Sequence, residues 1–180
     1  MVNLKRNFQD ALEFINNKIC LVRVDLNIPI IDGQITDITR VEKIIPTLKD
    51  LRNRNSKIVL LSHLGSPKGK VDSNLSLKPL VKILEKNLSL NISFENSHVT
   101  SDITKKKISE LKSGSLLLLE NMRFYKEEEE NDINFSKRIS SYADIYLNES
   151  FSTSHRNHSS ISGVPSFLPS FPGKLFEYEL

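Results

Sequence analysis

One cysteine, no tryptophan and only six glycines in 180 residues put several chemistries out of reach. A single thiol cannot close an internal disulfide. Cys20 sits in the apolar run Ile19-Cys20-Leu21-Val22, where a cysteine is an inert buried side chain rather than a nucleophile. No apolar stretch approaches the ~20 residues that a membrane-spanning helix needs. Met1 to Asp10 lacks the apolar core of a signal peptide. The Asn-x-Ser triplets at Asn87 and Asn157 therefore read as chance, and a cytoplasmic location is expected. There is no Gly-x-Gly-x-x-Gly, and Gly65 to Lys70 lacks the Gly-x4-Gly-Lys-[Ser/Thr] spacing of a nucleotide phosphate loop. His155 and His158 are not spaced with a Cys or a carboxylate as zinc ligands are, so no metal site is expected. No nucleophile elbow is present. The formal charge of +3 is too small to demand a nucleic-acid partner.

What is present is an alternation of short apolar runs with amphipathic stretches. Phe8 to Asn17 reads as a short helix and Ile19 to Val24 as a first strand. Asp32-Gly33 signals a hairpin turn. Thr39 with Glu42 three residues on reads as a capping box. It opens a helix whose inner face is Val41, Ile44, Ile45, Leu48 and Leu51, with Pro46 expected to kink it. Lys57 to Leu61 is a second strand. Ser76 is expected to cap the next helix, with Pro79 in its first turn and Leu80, Val81, Leu84 and Leu88 inward. Ile92 to Phe94, Leu116 to Leu119 and Ile145 to Leu147 complete the strands. Helices are expected over Ile103 to Leu111 and Asp132 to Tyr142, and Leu175 to Leu180 begins another. The Lys105-Lys106-Lys107 run and the acidic run Glu127 to Glu130 read as solvated faces. Such alternation indicates an α/β domain with a mainly parallel sheet flanked by helices.

The chemistry concentrates where the strands end. Asp25 and Asn27 follow the first strand, His63 the second, Arg123 the Leu116–Leu119 strand, and His155 and Arg156 the Ile145–Leu147 strand. In a parallel sheet these ends share one edge, where ligands of open α/β sheets bind. Arg40, in the first turn of its helix, is expected to reach the same edge. The loop Ser62-His63-Leu64-Gly65-Ser66-Pro67-Lys68-Gly69-Lys70 adds glycines that let backbone N–H groups approach an anion. Arginine grips carboxylate or phosphate through two hydrogen bonds. The pattern therefore points to a small anionic ligand.

The ordered set Val22-Arg23-Val24-Asp25-Leu26-Asn27-Ile28-Pro29, Ile35 to Lys49 including Thr39-Arg40-Val41, Leu61 to Gly69, Ser76 to Leu80, Leu117 to Asp132 and Ala143 to Leu168 resembles the N-terminal half of phosphoglycerate kinase. The resemblance implies a three-layer Rossmann-like domain. It implies reversible phosphoryl transfer between 1,3-bisphosphoglycerate and ADP, giving 3-phosphoglycerate and ATP. It further implies Mg²⁺ with ADP/ATP, held by a C-terminal domain that this chain lacks, and a monomer. By the same resemblance residues 1–174 are the substrate-binding domain and 175–180 the start of the interdomain helix. The substrate positions implied are Asp25, Asn27, Arg40, His63, Arg123, His155 and Arg156, with Arg40 stabilising the transferring phosphoryl. The chain alone is expected to bind 3-phosphoglycerate without catalysing.

Two departures from the family pattern weigh on affinity. Ser66 stands where the family loop reads His-Leu-Gly-Arg. Losing a charged contact costs about 1.5–3 kcal/mol, which Lys68 or Lys70 offsets only as a point charge. The last loop usually reads Asn-Asp-Ala-Phe-Gly-Thr-Ala-His-Arg, and here it is Asn148 to Arg156 with Glu149 for Asp and Ser152 for Gly. A positive φ at Ser152 would be strained. These departures keep open an alternative, a non-catalytic anion- or triose-phosphate-binding module.

Overall fold

The computed structural model describes residues 7–31 and 34–180. The central strand is β1 (Ile19–Val24), which is apolar except for Arg23. It pairs in parallel with β4 (Lys57–Leu61) on one side and β7 (Ile145–Glu149) on the other. Beyond β4 lie β6 (Leu116–Leu119) and the edge strand β5 (Ile92–Glu95), and beyond β7 lies β8 (Ser170–Pro172). The sheet order is β5-β6-β4-β1-β7-β8 and every pairing is parallel. Two short strands, β2 (Ile30–Ile31) and β3 (Gln34–Ile35), pair antiparallel apart from the sheet. The Asp32-Gly33 turn expected between them lies outside the described residues.

Alternation along each strand builds two cores. Cys20, Val22 and Val24 of β1 join Ile58, Leu60, Leu118 and Leu147 under α1 (Phe8–Phe14), α2 (Thr39–Asn53) and α3 (Leu80–Leu88). Leu21, Val59, Leu61, Leu117 and Tyr146 face the other way, under α4 (Asp102–Ser109) and α6 (Ile133–Ser140), with the short α5 (Lys126–Glu129) between them in sequence. The result is the three-layer α/β arrangement expected. Burying each large aliphatic side chain contributes roughly 1.5–3 kcal/mol, so the two cores hold the strand ends in fixed register. Cys20 is buried, and burial pushes its thiol up to about 12.

Several local expectations are corrected. Thr39 is already the first residue of α2, and Ile38 caps it without a side-chain bond. The carboxylate of Asp37 instead accepts from the Thr39 N–H at 2.8 Å, doing locally what the capping box was expected to do. Helix α3 starts at Leu80, after Pro79. Ser76 accepts from Lys78 N–H but donates to Glu120, so it ties two loops together rather than capping a helix. Lys107 reaches Glu95 and the Phe94 carbonyl, while Lys105 and Lys106 remain exposed. Glu128, read as part of a solvated run, is 1% exposed. β8 was not foreseen: its Pro172 argues against a strand until the pairing of Tyr146 with Ser170 supplies one.

Candidate anion-binding site

The parallel registers bring the carboxyl ends of β1, β4, β6 and β7 to one edge, as expected. A cleft of about 250 Å³ lies there. Asp25, Asn27, Arg40, His63, Arg123 and Arg156 line it, together with Gly65, Ser66, Ser152 and Thr153. His155 is exposed and does not line it. A larger cavity of about 330 Å³ at the opposite edge is lined mainly by Phe14, Ile145, Pro169 and Phe171, with Lys18 and Asp144 also in its lining. A lining with one lysine and one carboxylate does not suit a polyanion, whereas the first cleft gathers three arginines.

Asp25 organises the β1 end. Its carboxylate pairs with Arg40 from the first turn of α2. It also accepts from the Ser152 hydroxyl at 2.6 Å and from the Asn27 N–H at 3.0 Å. Ser152 is not among the positive-φ residues, so the strain expected from replacing a glycine does not arise. Its hydroxyl instead adds a donor to Asp25.

The β4 and β6 ends are joined around Gly65. Asn27 accepts from the Gly65 N–H at 2.9 Å, and Arg123 donates to the Gly65 carbonyl at 2.9 Å. Gly65 has φ +62, which favours glycine, and a Cβ there would lie 2.8 Å from a Leu75 methyl that would have to shift. Asn121 donates to the Leu64 and Leu75 carbonyls and accepts from the Arg123 N–H, which fixes the base of Arg123. The Arg123 side chain is 6% exposed, and its Nε has no protein partner. A buried donor without an acceptor is costly, and here it stands beside an open cleft. Ser66 touches Arg123 at 3.5 Å, while Lys68 and Lys70 are exposed and do not line the cleft. Arg156 is exposed on the far wall.

Behind the cleft lies an arginine that sequence reasoning passed over. Arg23, within β1, is 1% exposed and stands 2.9 Å from His63 Nδ1. The signal was available, since a charge inside an apolar strand must find a partner. Burial, then Arg23, Arg123, Arg156 and His158, hold the His63 imidazole down to about 2. His63 is therefore neutral across the physiological range. Burial also lowers Arg123, with Arg156 and Arg23 adding to the effect. The cleft thus gathers a surplus of positive charge around one neutral imidazole.

Glu149 closes β7 just beside the cleft. It is fully buried, accepts from the Thr47 hydroxyl of α2, and accepts from Leu175 N–H of α7 (Lys174–Glu179) at 3.1 Å. Its Oε2 has no partner and faces Gly173, where a Cβ would overlap it. Burial pushes this carboxyl up to about 7.

Among the described residues no three His, Cys, Asp or Glu side chains are placed to hold a metal ion. Among the described residues no helix is long and apolar enough to cross a membrane.

Comparison with known proteins meets this geometry. The family model for phosphoglycerate kinase matches residues 9–180. A phosphoglycerate kinase of Wolbachia pipientis subsp. Culex pipiens is 47% identical over 165 residues, which are 92% of this chain and 41% of that protein. One from Chelativorans sp. is 41% identical over 171 residues, covering 95% of this chain and 43% of the relative. The solved phosphoglycerate kinase of Pyrococcus horikoshii OT3 superposes with a TM-score of 0.85 at 30% identity, over 99% of this chain and 44% of its own. That of Coxiella burnetii gives 0.83 at 31% identity, over 92% and 41%. The chain spans less than half the length of these relatives. With its all-parallel sheet and its match from residue 9 to residue 180, the chain belongs to the phosphoglycerate kinase family.

Proposed function

We propose that this chain is the 3-phosphoglycerate-binding part of a phosphoglycerate kinase. Arg123 carries the reading: its buried Nε lacks a partner next to a cleft that also holds Arg40 and Arg156. A phosphate or carboxylate supplies the missing acceptor, and bidentate arginine contacts suit both ends of 3-phosphoglycerate. Asn27 and Asp25 retain lone pairs for a substrate hydroxyl.

In the full-length protein the reaction is phosphoryl transfer between the acyl phosphate of 1,3-bisphosphoglycerate and ADP. Arg40 is the residue we assign to the transferring group. Asp25 holds its guanidinium, and an arginine so placed is worth roughly 10³–10⁵ in rate in related chemistry. Mg²⁺ and the nucleotide fit none of the described residues here, so we assign them to the part of the relatives' length that this chain does not span. Supplied there, they provide the phosphoryl donor or acceptor. In this reading α7 leads into the connection between the two parts. The chain alone binds substrate without turnover, because none of the described residues closes over the cleft to exclude water. We place the protein in the cytoplasm as a monomer.

The test is a titration of the chain with 3-phosphoglycerate, followed by backbone amide shifts. Saturable shifts at His63, Arg123 and Arg156 that weaken with added salt are expected. A folded spectrum that does not respond at millimolar ligand would overturn the reading in favour of a degraded site, with Ser66 the first suspect.

A further inference from the structure

Arg23 is the centre of a hydrogen-bonded chain whose donor directions are all determined. Its guanidinium offers only donors. Nη2 lies 2.9 Å from His63 Nδ1, so Nδ1 accepts. Nε donates to Ser160 Oγ at 3.0 Å. Nη1 donates to the carbonyls of Val24 and Leu61. Ser160 Oγ, already accepting from Arg23, sends its own hydrogen to Glu128 Oε1 at 2.5 Å. Ser160 N–H donates to Glu128 Oε2 at 2.8 Å, and the Tyr146 hydroxyl donates to the Ser160 carbonyl at 2.8 Å. Arg23, Glu128, Ser160 and Tyr146 are all 1% exposed or less. A neutral imidazole whose Nδ1 accepts must carry its proton on Nε2.

We propose that Arg23, anchored by Ser160 and Glu128, is a positioning residue that fixes His63 as the Nε2–H tautomer and so makes it a neutral hydrogen-bond donor to the bound anion. The inference rests on the reading of the cleft as a 3-phosphoglycerate site for its ligand, though not for the tautomer itself. The arrangement has a clear advantage. A second mobile proton beside Arg123 and Arg156 would be repelled, whereas a fixed neutral donor serves the anion at any pH in the working range. The groups facing His63 are Arg23 from β1, Arg123 from the turn after β6, and Arg156 and His158 from the loop after β7, all of which disfavour its imidazolium. Glu128 balances the buried charge of Arg23 from α5, which explains why one glutamate of an otherwise exposed run is turned inward.

The test is imidazole ¹⁵N spectroscopy on the histidine-labelled chain, with His63 assigned through His63→Gln. Expected is an unprotonated Nδ1 and a protonated Nε2 that do not titrate between pH 8 and 5. A protonated Nδ1, or an imidazolium at pH 6, overturns the proposal whether or not ligand binds. The second arm is the charge-balanced double variant Arg23→Met/Glu128→Gln, with Ser160→Ala beside it as the smaller change. Expected in the double variant is a mixed tautomer whose titration moves upward from that of the parent chain, burial and the remaining arginines still holding it below the ordinary histidine range. Its 3-phosphoglycerate affinity should fall about tenfold at pH 8 and recover at acid pH as His63 takes up charge. In Ser160→Ala the tautomer ratio should shift the same way by a smaller amount. An unchanged tautomer in both overturns the role of Arg23. A tautomer as stated in a chain that ignores 3-phosphoglycerate leaves the positioning intact and removes the proposed ligand.

Discussion

Burial acts on two side chains at the carboxyl edge of the sheet in opposite directions. Glu149 is raised to about 7 from 4.5, while His63 is lowered to about 2 from 6.5. A carboxyl raised on folding adds stability that is complete below its unfolded pKa and is lost as pH rises through about 7, an effect of about 3 kcal/mol. An imidazole lowered on folding does the reverse. Its contribution is complete above pH 6.5 and falls as pH drops towards 2, by about 2 kcal/mol at pH 5. From these two groups, urea unfolding should therefore show greatest stability near pH 5–6. Glu149→Gln should flatten the loss on the alkaline side and His63→Gln the loss on the acid side. Parallel pH profiles for wild type and both variants would contradict this. The residues also show where reading a sequence stops. Asp25, Asn27, His63, Arg123 and Arg156 were legible because each follows an apolar run. Arg23 and Glu128 were not, since one hides inside a strand and the other inside a charge run, and their partnership is purely three-dimensional.

Elements whose burial is written in a continuous pattern were read correctly, β4 and β6 above all. β8 was missed because three residues containing a proline carry no periodicity, and only the register against Tyr146 makes them a strand. The start of α2 was misplaced by one residue because Asp37, not Thr39, supplies the terminal acceptor. α2 also contains Pro46, yet runs on from Thr39 to Asn53. Pro46 is exposed and has no N–H for the carbonyl of Glu42. The helix survives because Val41, Ile44, Ile45, Leu48 and Leu51 are buried on both sides of it. Pro46→Ala should then raise stability by about 1–2 kcal/mol, the restored helical bond outweighing the greater freedom of the unfolded chain. A higher urea midpoint with an unchanged slope would bear this out, and an unchanged or lower midpoint would count against it.

For the whole molecule, the positive edge predicts that 3-phosphoglycerate affinity depends on both salt and the exposed Arg156. Arg156→Gln should weaken binding about tenfold by calorimetry while leaving the unfolding midpoint unchanged. Equal loss of stability and affinity would mean that Arg156 holds the loop rather than the ligand. The same edge has a consequence for how the chain is made. β1 pairs with strands formed much later, and the Arg23–Ser160 hydrogen bond joins positions 137 residues apart. Such distant pairings form slowly, and during synthesis the amino-terminal part must wait for them. Until Ser160 has been added, Arg23 is a charge without an anchor in the middle of an apolar strand. The candidate cleft is thus incomplete on a nascent chain until Ser160 has been added, and an anion that fits it would recognise only molecules whose sheet is complete.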